Sequence, residues 1–124
     1  METLIIEETI ETPHVELDIQ TGSFTFSGKS LPEDVKEFYK PIMEWIEAYT
    51  HNPKPNTSMN IKLEYFNTSS SKMILIILKQ LIEATNNGSK VIVNWYYPSD
   101  DEEIYEAGEE YSDIIKLKFN FIQY

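Results

Sequence analysis

The chain has 124 residues, a single domain's length, with twenty-one acidic residues against ten lysines, no arginine, and a formal net charge of −11. So acidic a chain lacks the basic surface that displaces counterions from nucleic acid or docks on anionic membranes, and without arginine it has no bidentate phosphate clamp. It has no cysteine, hence no disulfide, thiolate metal site or Cys nucleophile, and at this length it needs no staples to bury a core.

The opening stretch METLIIEETIE carries acids where a secretory signal carries a basic end. The longest apolar run, Met73 to Leu78, is six residues and falls far short of a membrane span. A soluble cytoplasmic protein is expected, with one domain over residues 1–124. Residues 1–13 surround an apolar knot at Leu4-Ile5-Ile6 and either add an edge strand or fray. Next, VELDI and SFTFS alternate, with Gln20-Thr21-Gly22-Ser23 between them, which predicts a β-hairpin whose second strand ends at Gly28.

The stretch from Leu31 to Pro55 has helical spacing. Phe38, Ile42, Trp45, Ile46 and Tyr49 share a face, Asp34 is the candidate cap, and Glu37 stands where a capping box wants it. Pro41 lies inside, so a kink or a restarted helix is expected. Residues 59–65 predict a strand and 69–86 a helix closed by Asn86-Asn87-Gly88. KVIVNWYY is nearly all apolar, as in the buried middle of a sheet. DDEEIYEAGEEYSDII predicts a helix with acids at its positive end, and Leu117, Phe119 and Phe121 alternate in a last strand. The order β-β-α-β-α-β-α-β predicts an α/β fold: a mixed, mostly parallel sheet with an N-terminal hairpin and about three helices.

Several motifs have duller explanations. SFTFSGKS contains Gly-Lys-Ser, but five residues separate Gly22 from Gly28, they alternate like a strand, and no helix follows at once as a phosphate loop requires. The acids Asp100 to Glu103 suggest a carboxylate or metal-dependent enzyme, yet consecutive acids opening a helix point in different directions and suit its dipole. His14 and His51 have no spaced partner, and Trp95, Tyr96 and Tyr97 fit a strand core as well as a binding platform. No catalytic residue, metal site or cofactor is assigned. The run Asn67-Thr68-Ser69-Ser70-Ser71 is less easily dismissed. One residue among Asn67, Thr68 and Ser69 must cap the helix. A phosphate on another would meet unpaired N–H groups and a favourable dipole.

The segment LEYFNTSSSKMILIILKQL resembles the SiaC-type regulatory phosphoproteins of bacteria. So do LPEDVKEFYKPIMEWIEAY before it and VNWYYPSDDEEIYEAGEEYSDIIKLKFNFIQY after it, and the likeness runs from about residue 15 to the C-terminus. The Asn-Thr-Ser-Ser element after an apolar strand is its most specific part. Asn-Trp-Tyr-Tyr followed by acids and Ala-Gly-Glu is a second anchor. The resemblance implies a STAS-like fold and a partner-switching role in cyclic-di-GMP signalling and biofilm formation. A Ser/Thr protein kinase phosphorylates the threonine of the element, and a type-2C protein phosphatase reverses this. The unphosphorylated form binds and activates an effector, a diguanylate cyclase. By motif the acceptor is Thr68, and Asn67, Thr68, Ser69, Ser70 and Lys72 form the contact patch. The serine-rich entry leaves Ser69 and Ser70 open as acceptors. The alternatives are a constitutive interaction module and a small enzyme built on the acids from Asp100 to Glu103.

Overall fold

The computed structural model describes residues 1–124. Its elements are β1 (Leu4–Ile6), β2 (His14–Asp18), β3 (Ser23–Ser30), α1 (Val35–His51), β4 (Asn56–Phe66), α2 (Thr68–Asn86), β5 (Lys90–Tyr97), α3 (Glu102–Ile114) and β6 (Lys118–Gln123). The expected α/β domain with a hairpin, a mostly parallel sheet and three helices is present. The apolar knot near the N-terminus is a true edge strand: Leu4 to Ile6 pair antiparallel with Val15 to Leu17. The Trp45 indole N–H also holds this segment by donating to the Glu2 carbonyl at 2.6 Å.

The six strands lie in sequence order across one sheet. β1, β2 and β3 are antiparallel neighbours, whereas β3/β4, β4/β5 and β5/β6 are parallel. Each parallel crossover steps in the same direction and is right-handed, so all three helices fall on one face. Burial follows. Phe24, Phe26, Met59, Ile61, Leu63, Val93 and Trp95 are buried, while Thr25, Asn60, Lys62 and Asn94 between them point to the open face. β5 is therefore covered on one side only, unlike the doubly buried strand its apolar run suggests. Ile92 and Tyr96 lie half-exposed beside Asn94 on the open face.

The end of β3 differs from expectation. β3 continues past Gly28 to Ser30, because Gly28 takes φ +97 and the register against β4 shifts between Gly28 and Lys29. The strand absorbs the kink, and the Gly-Lys-Ser lies within it, so no phosphate-binding loop exists there. Of the two outcomes expected at Pro41 the restart is absent, since α1 runs from Val35 to His51 without a break. Pro41 sits on the exposed face, where water can satisfy the Glu37 carbonyl that loses its partner. On the buried side Ile42, Ile46 and Tyr49 enter the core as expected, joined by Tyr39. Phe24 packs edge-on against Trp45 and Tyr49 at 5.3 and 4.8 Å, locking α1 to the sheet.

Candidate functional site

The site lies at the carboxyl ends of the parallel strands, where β4 turns into α2. The Asn67 N–H donates to the Ser30 carbonyl at 3.1 Å, so the turn is tied to the end of β3. Asn67 has extended backbone and caps α2, its Oδ1 accepting from the Ser70 N–H at 2.9 Å. Its own carbonyl accepts from Ser71 N–H at 2.9 Å. Of the three capping candidates, Asn67 is the cap. The amides of Thr68 and Ser69 then remain without an intrahelical acceptor.

The four hydroxyls have separate fates. Thr68 and Ser69 are exposed. Ser71 is half-buried, and its Oγ donates back to the Thr68 carbonyl at 3.0 Å. Ser70 is at 0 % exposure: it faces the core, where the Ser30 hydroxyl donates to it at 2.8 Å. Tyr39 OH lies 2.6 Å from the same Ser30 Oγ, so three buried hydroxyls on β3, α1 and α2 form one chain. Burial raises the Tyr39 pKa, with the Ser30 and Ser70 bonds partly opposing. On the other side Tyr111 of α3 donates its hydroxyl to the Ser71 carbonyl at 2.9 Å, and burial pushes it up to about 12. The first turn of α2 is thus held from three directions, and only Thr68 and Ser69 offer free hydroxyls.

Charge is arranged unusually here. α1 and α3 carry acids in their first turns, but the first turn of α2 has none, in a chain with twenty-one acids. Its positive dipole end is left uncompensated. Lys72, one turn in, is exposed and in no ion pair; the single close pair in the molecule joins His14 and Glu16 at 3.8 Å. Helical spacing sets Thr68, Lys72 and Ile76 on one stripe. Ile76 is 42 % exposed. This surface therefore combines hydroxyl, amine and apolar groups. Sequence reasoning missed Ile76 on the surface and Ser30, Tyr39 and Tyr111 beneath it. Within the run Met73 to Leu78, nothing but the helical angle separates the outward Ile76 from buried Ile77.

The second sequence anchor is scaffold. Trp95 is buried and donates its indole N–H to the Ile104 carbonyl at 2.9 Å. Gly108 lets the ring lie against α3, because a Cβ there would stand 2.5 Å from Trp95 Nε1. Trp95 also meets Tyr111 edge-on at 5.5 Å, so this packing positions the Tyr111 bond to α2. Among the acids, Asp101 caps α3 by accepting from Ile104 N–H at 3.0 Å, and no three His, Asp or Glu side chains gather as a metal site would need. No helix is long and apolar enough to cross a membrane.

The family model of SiaC family regulatory phosphoproteins matches residues 6–124. An uncharacterized protein of Pseudomonas aeruginosa is 31% identical over 119 residues, covering 96% of this chain and 94% of its own. The crystal structure of apo-SiaC from Pseudomonas aeruginosa superposes with TM-score 0.88 at 30% identity, over 98% of this chain and 99% of that one. A chain in the crystal structure of the diguanylate cyclase SiaD in complex with its activator SiaC, from the same organism, gives TM-score 0.90 at 30% identity, with the same coverage. The chain therefore belongs to the SiaC family of regulatory phosphoproteins, a family of regulators and not of enzymes.

Proposed function

We propose that this protein is a phosphorylation-controlled activator in a partner-switching pathway. A Ser/Thr kinase phosphorylates Thr68, a type-2C phosphatase removes the phosphate, and the unphosphorylated form binds and activates a diguanylate cyclase. The observation that carries the reading is the exposed Thr68 hydroxyl on an Asn67-capped, acid-free helix start. The partner follows from the solved relative, an activator in complex with a diguanylate cyclase.

The chemistry is simple. A phosphate on Thr68 adds about −1.5 to −2 charges. The free Thr68 and Ser69 amides and the helix dipole accept it without unfolding the domain. The mixed surface of Thr68, Ser69, Lys72 and Ile76 then becomes strongly anionic, and a partner fitted to the neutral form is lost. Asn67 shapes the turn, and buried Ser70 holds it from beneath; neither a kinase nor an effector reaches Ser70 in the folded chain. Peptide mapping of protein from its native cells, with phosphatases inhibited, is expected to find one phosphate on Thr68. Phosphate on Ser69 would keep the switch and move the acceptor. No phosphate under any growth condition, or after mixing with the kinase, would leave a constitutive interaction module.

A further inference from the structure

β6 is the last strand, and its outer edge has no neighbour. Tyr124, just beyond it, bonds toward β5 with both backbone groups: its N–H donates to Tyr97 at 3.0 Å and its carbonyl accepts from Ser99 at 2.8 Å. Backbone groups alternate in direction along a strand, so Phe119, Phe121 and Gln123 direct theirs outward, unpaired. The usual protections of an edge are missing over most of the strand: it has no proline, and its register against β5 is unbroken. The opposite edge strand, β1, is only three residues.

Two more observations define what this edge would accept. On the open face a ladder of asparagine amides crosses the sheet. Asn120 donates to Asn94 at 3.0 Å, Asn94 to Asn60 at 2.8 Å, and Asn60 to the Phe24 carbonyl at 3.0 Å. Every rung accepts from the next except Asn120, whose Oδ1 lies at the edge with no donor from a further strand. On the helix face a hollow of about 470 Å³ is walled by Tyr97 and Tyr105 and ringed by Glu102, Glu106 and Glu109. Tyr105 meets Phe121 of β6 at 5.4 Å, so one wall of the hollow rests against the edge strand. Between Asp100 and Asp113 the chain has eight carboxylates and no lysine.

We propose that the outer edge of β6 and this hollow together dock an extended segment of a protein partner, added as a further strand with arginine or lysine side chains on the helix side. The backbone supplies the outward amides and carbonyls with partners, the tyrosines offer ring faces to a cation, and the glutamates neutralise it. A polar residue on the other face continues the asparagine ladder. A second copy of this chain is a poorer occupant, because pairing β6 with itself would set two α3 helices side by side and oppose their carboxylates with no base between them.

The experiment titrates the full, unphosphorylated, isotope-labelled chain with a short synthetic peptide in which arginine alternates with threonine, and a matched peptide with glutamate for arginine. The expected result is slowed exchange of the Phe119, Phe121 and Gln123 amides by the basic peptide, affinity that falls with salt, and binding of the acidic peptide at least about tenfold weaker. Gln123→Pro removes one outward N–H at an exposed edge position where proline is tolerated. It is expected to weaken the basic peptide about tenfold with thermal unfolding unchanged, as is Glu106→Gln combined with Glu109→Gln. Absence of binding, equal binding of both peptides, or equal binding by the folded variants overturns the proposal. Self-association of the free chain through protected β6 amides overturns it too, by assigning the edge to a second copy. Thr68 takes no part in this experiment, so its outcome is separate from that of the switch.

Discussion

Thr68, Ser69 and Ser70 are consecutive hydroxyls, the first two exposed and the third buried, and substitution should read the difference. Ser70→Ala leaves Ser30 and Tyr39 with an unmatched buried bond, a cost of about 1–3 kcal/mol in chemical denaturation. Ser69→Ala, on an exposed residue, is expected to stay within about 0.5 kcal/mol of the parent. Tyr111 gives a pH signature. Its folded pKa, pushed up to about 12, exceeds the ordinary value of 10.0, so the folded state holds a proton that the unfolded state releases. Stability is therefore full below the ordinary tyrosine value and falls as pH rises from there toward 12, and raised Tyr39 adds to the loss. In urea titrations across this range, Tyr111→Phe should show a shallower alkaline decline; a slope identical to the parent would remove Tyr111 from the account. At this scale the sequence was partly legible. The hydroxyl run marks a helix start because capping is a local rule. Which serine turns inward depends on Ser30, forty residues earlier, and no local pattern carries that distance.

The elements were easier to read, because their signals are periodic. Alternation marks β2, β3 and β6, and helical spacing marks α1. The misreadings arose where one residue's environment overrides a rule. Gly28 does not end β3, because a bulge absorbs it. The apolar run of β5 suggested burial on both faces, but sidedness is set by the common direction of the crossovers. Gly108 shows the same dependence on context. In isolation a helical glycine weakens its helix; here it admits the Trp95 ring. Gly108→Ala should therefore destabilise by about 1–3 kcal/mol, despite alanine's better helix propensity, because the indole cannot give way. A melting temperature equal to or above the parent's would show that α3 can move off the sheet, and would weaken its assigned role in holding Tyr111 against α2.

For the molecule as a whole, the net charge of −11 has almost nothing close at hand to balance it, since no lysine lies within ion-pair distance of a carboxylate. Self-repulsion across the surface follows, and modest salt should raise the unfolding temperature by screening it. A fall with salt would mean that longer-range attractions dominate. Against this acidic background the acid-free start of α2 is distinctive. It is the one helix entrance among three where added negative charge meets no carboxylate in the first turn. The fold thus offers a place to accept a phosphate locally while altering what a partner meets.

The most direct measurement is the affinity of purified full-length diguanylate cyclase for two forms of this protein, unphosphorylated and stoichiometrically phosphorylated at Thr68. The account predicts that the unphosphorylated form binds and that phosphate weakens binding at least about tenfold, or about 1.4 kcal/mol. Thr68→Ala should bind like the unphosphorylated form. Equal affinity of the two forms, with both fully folded, would contradict the switch.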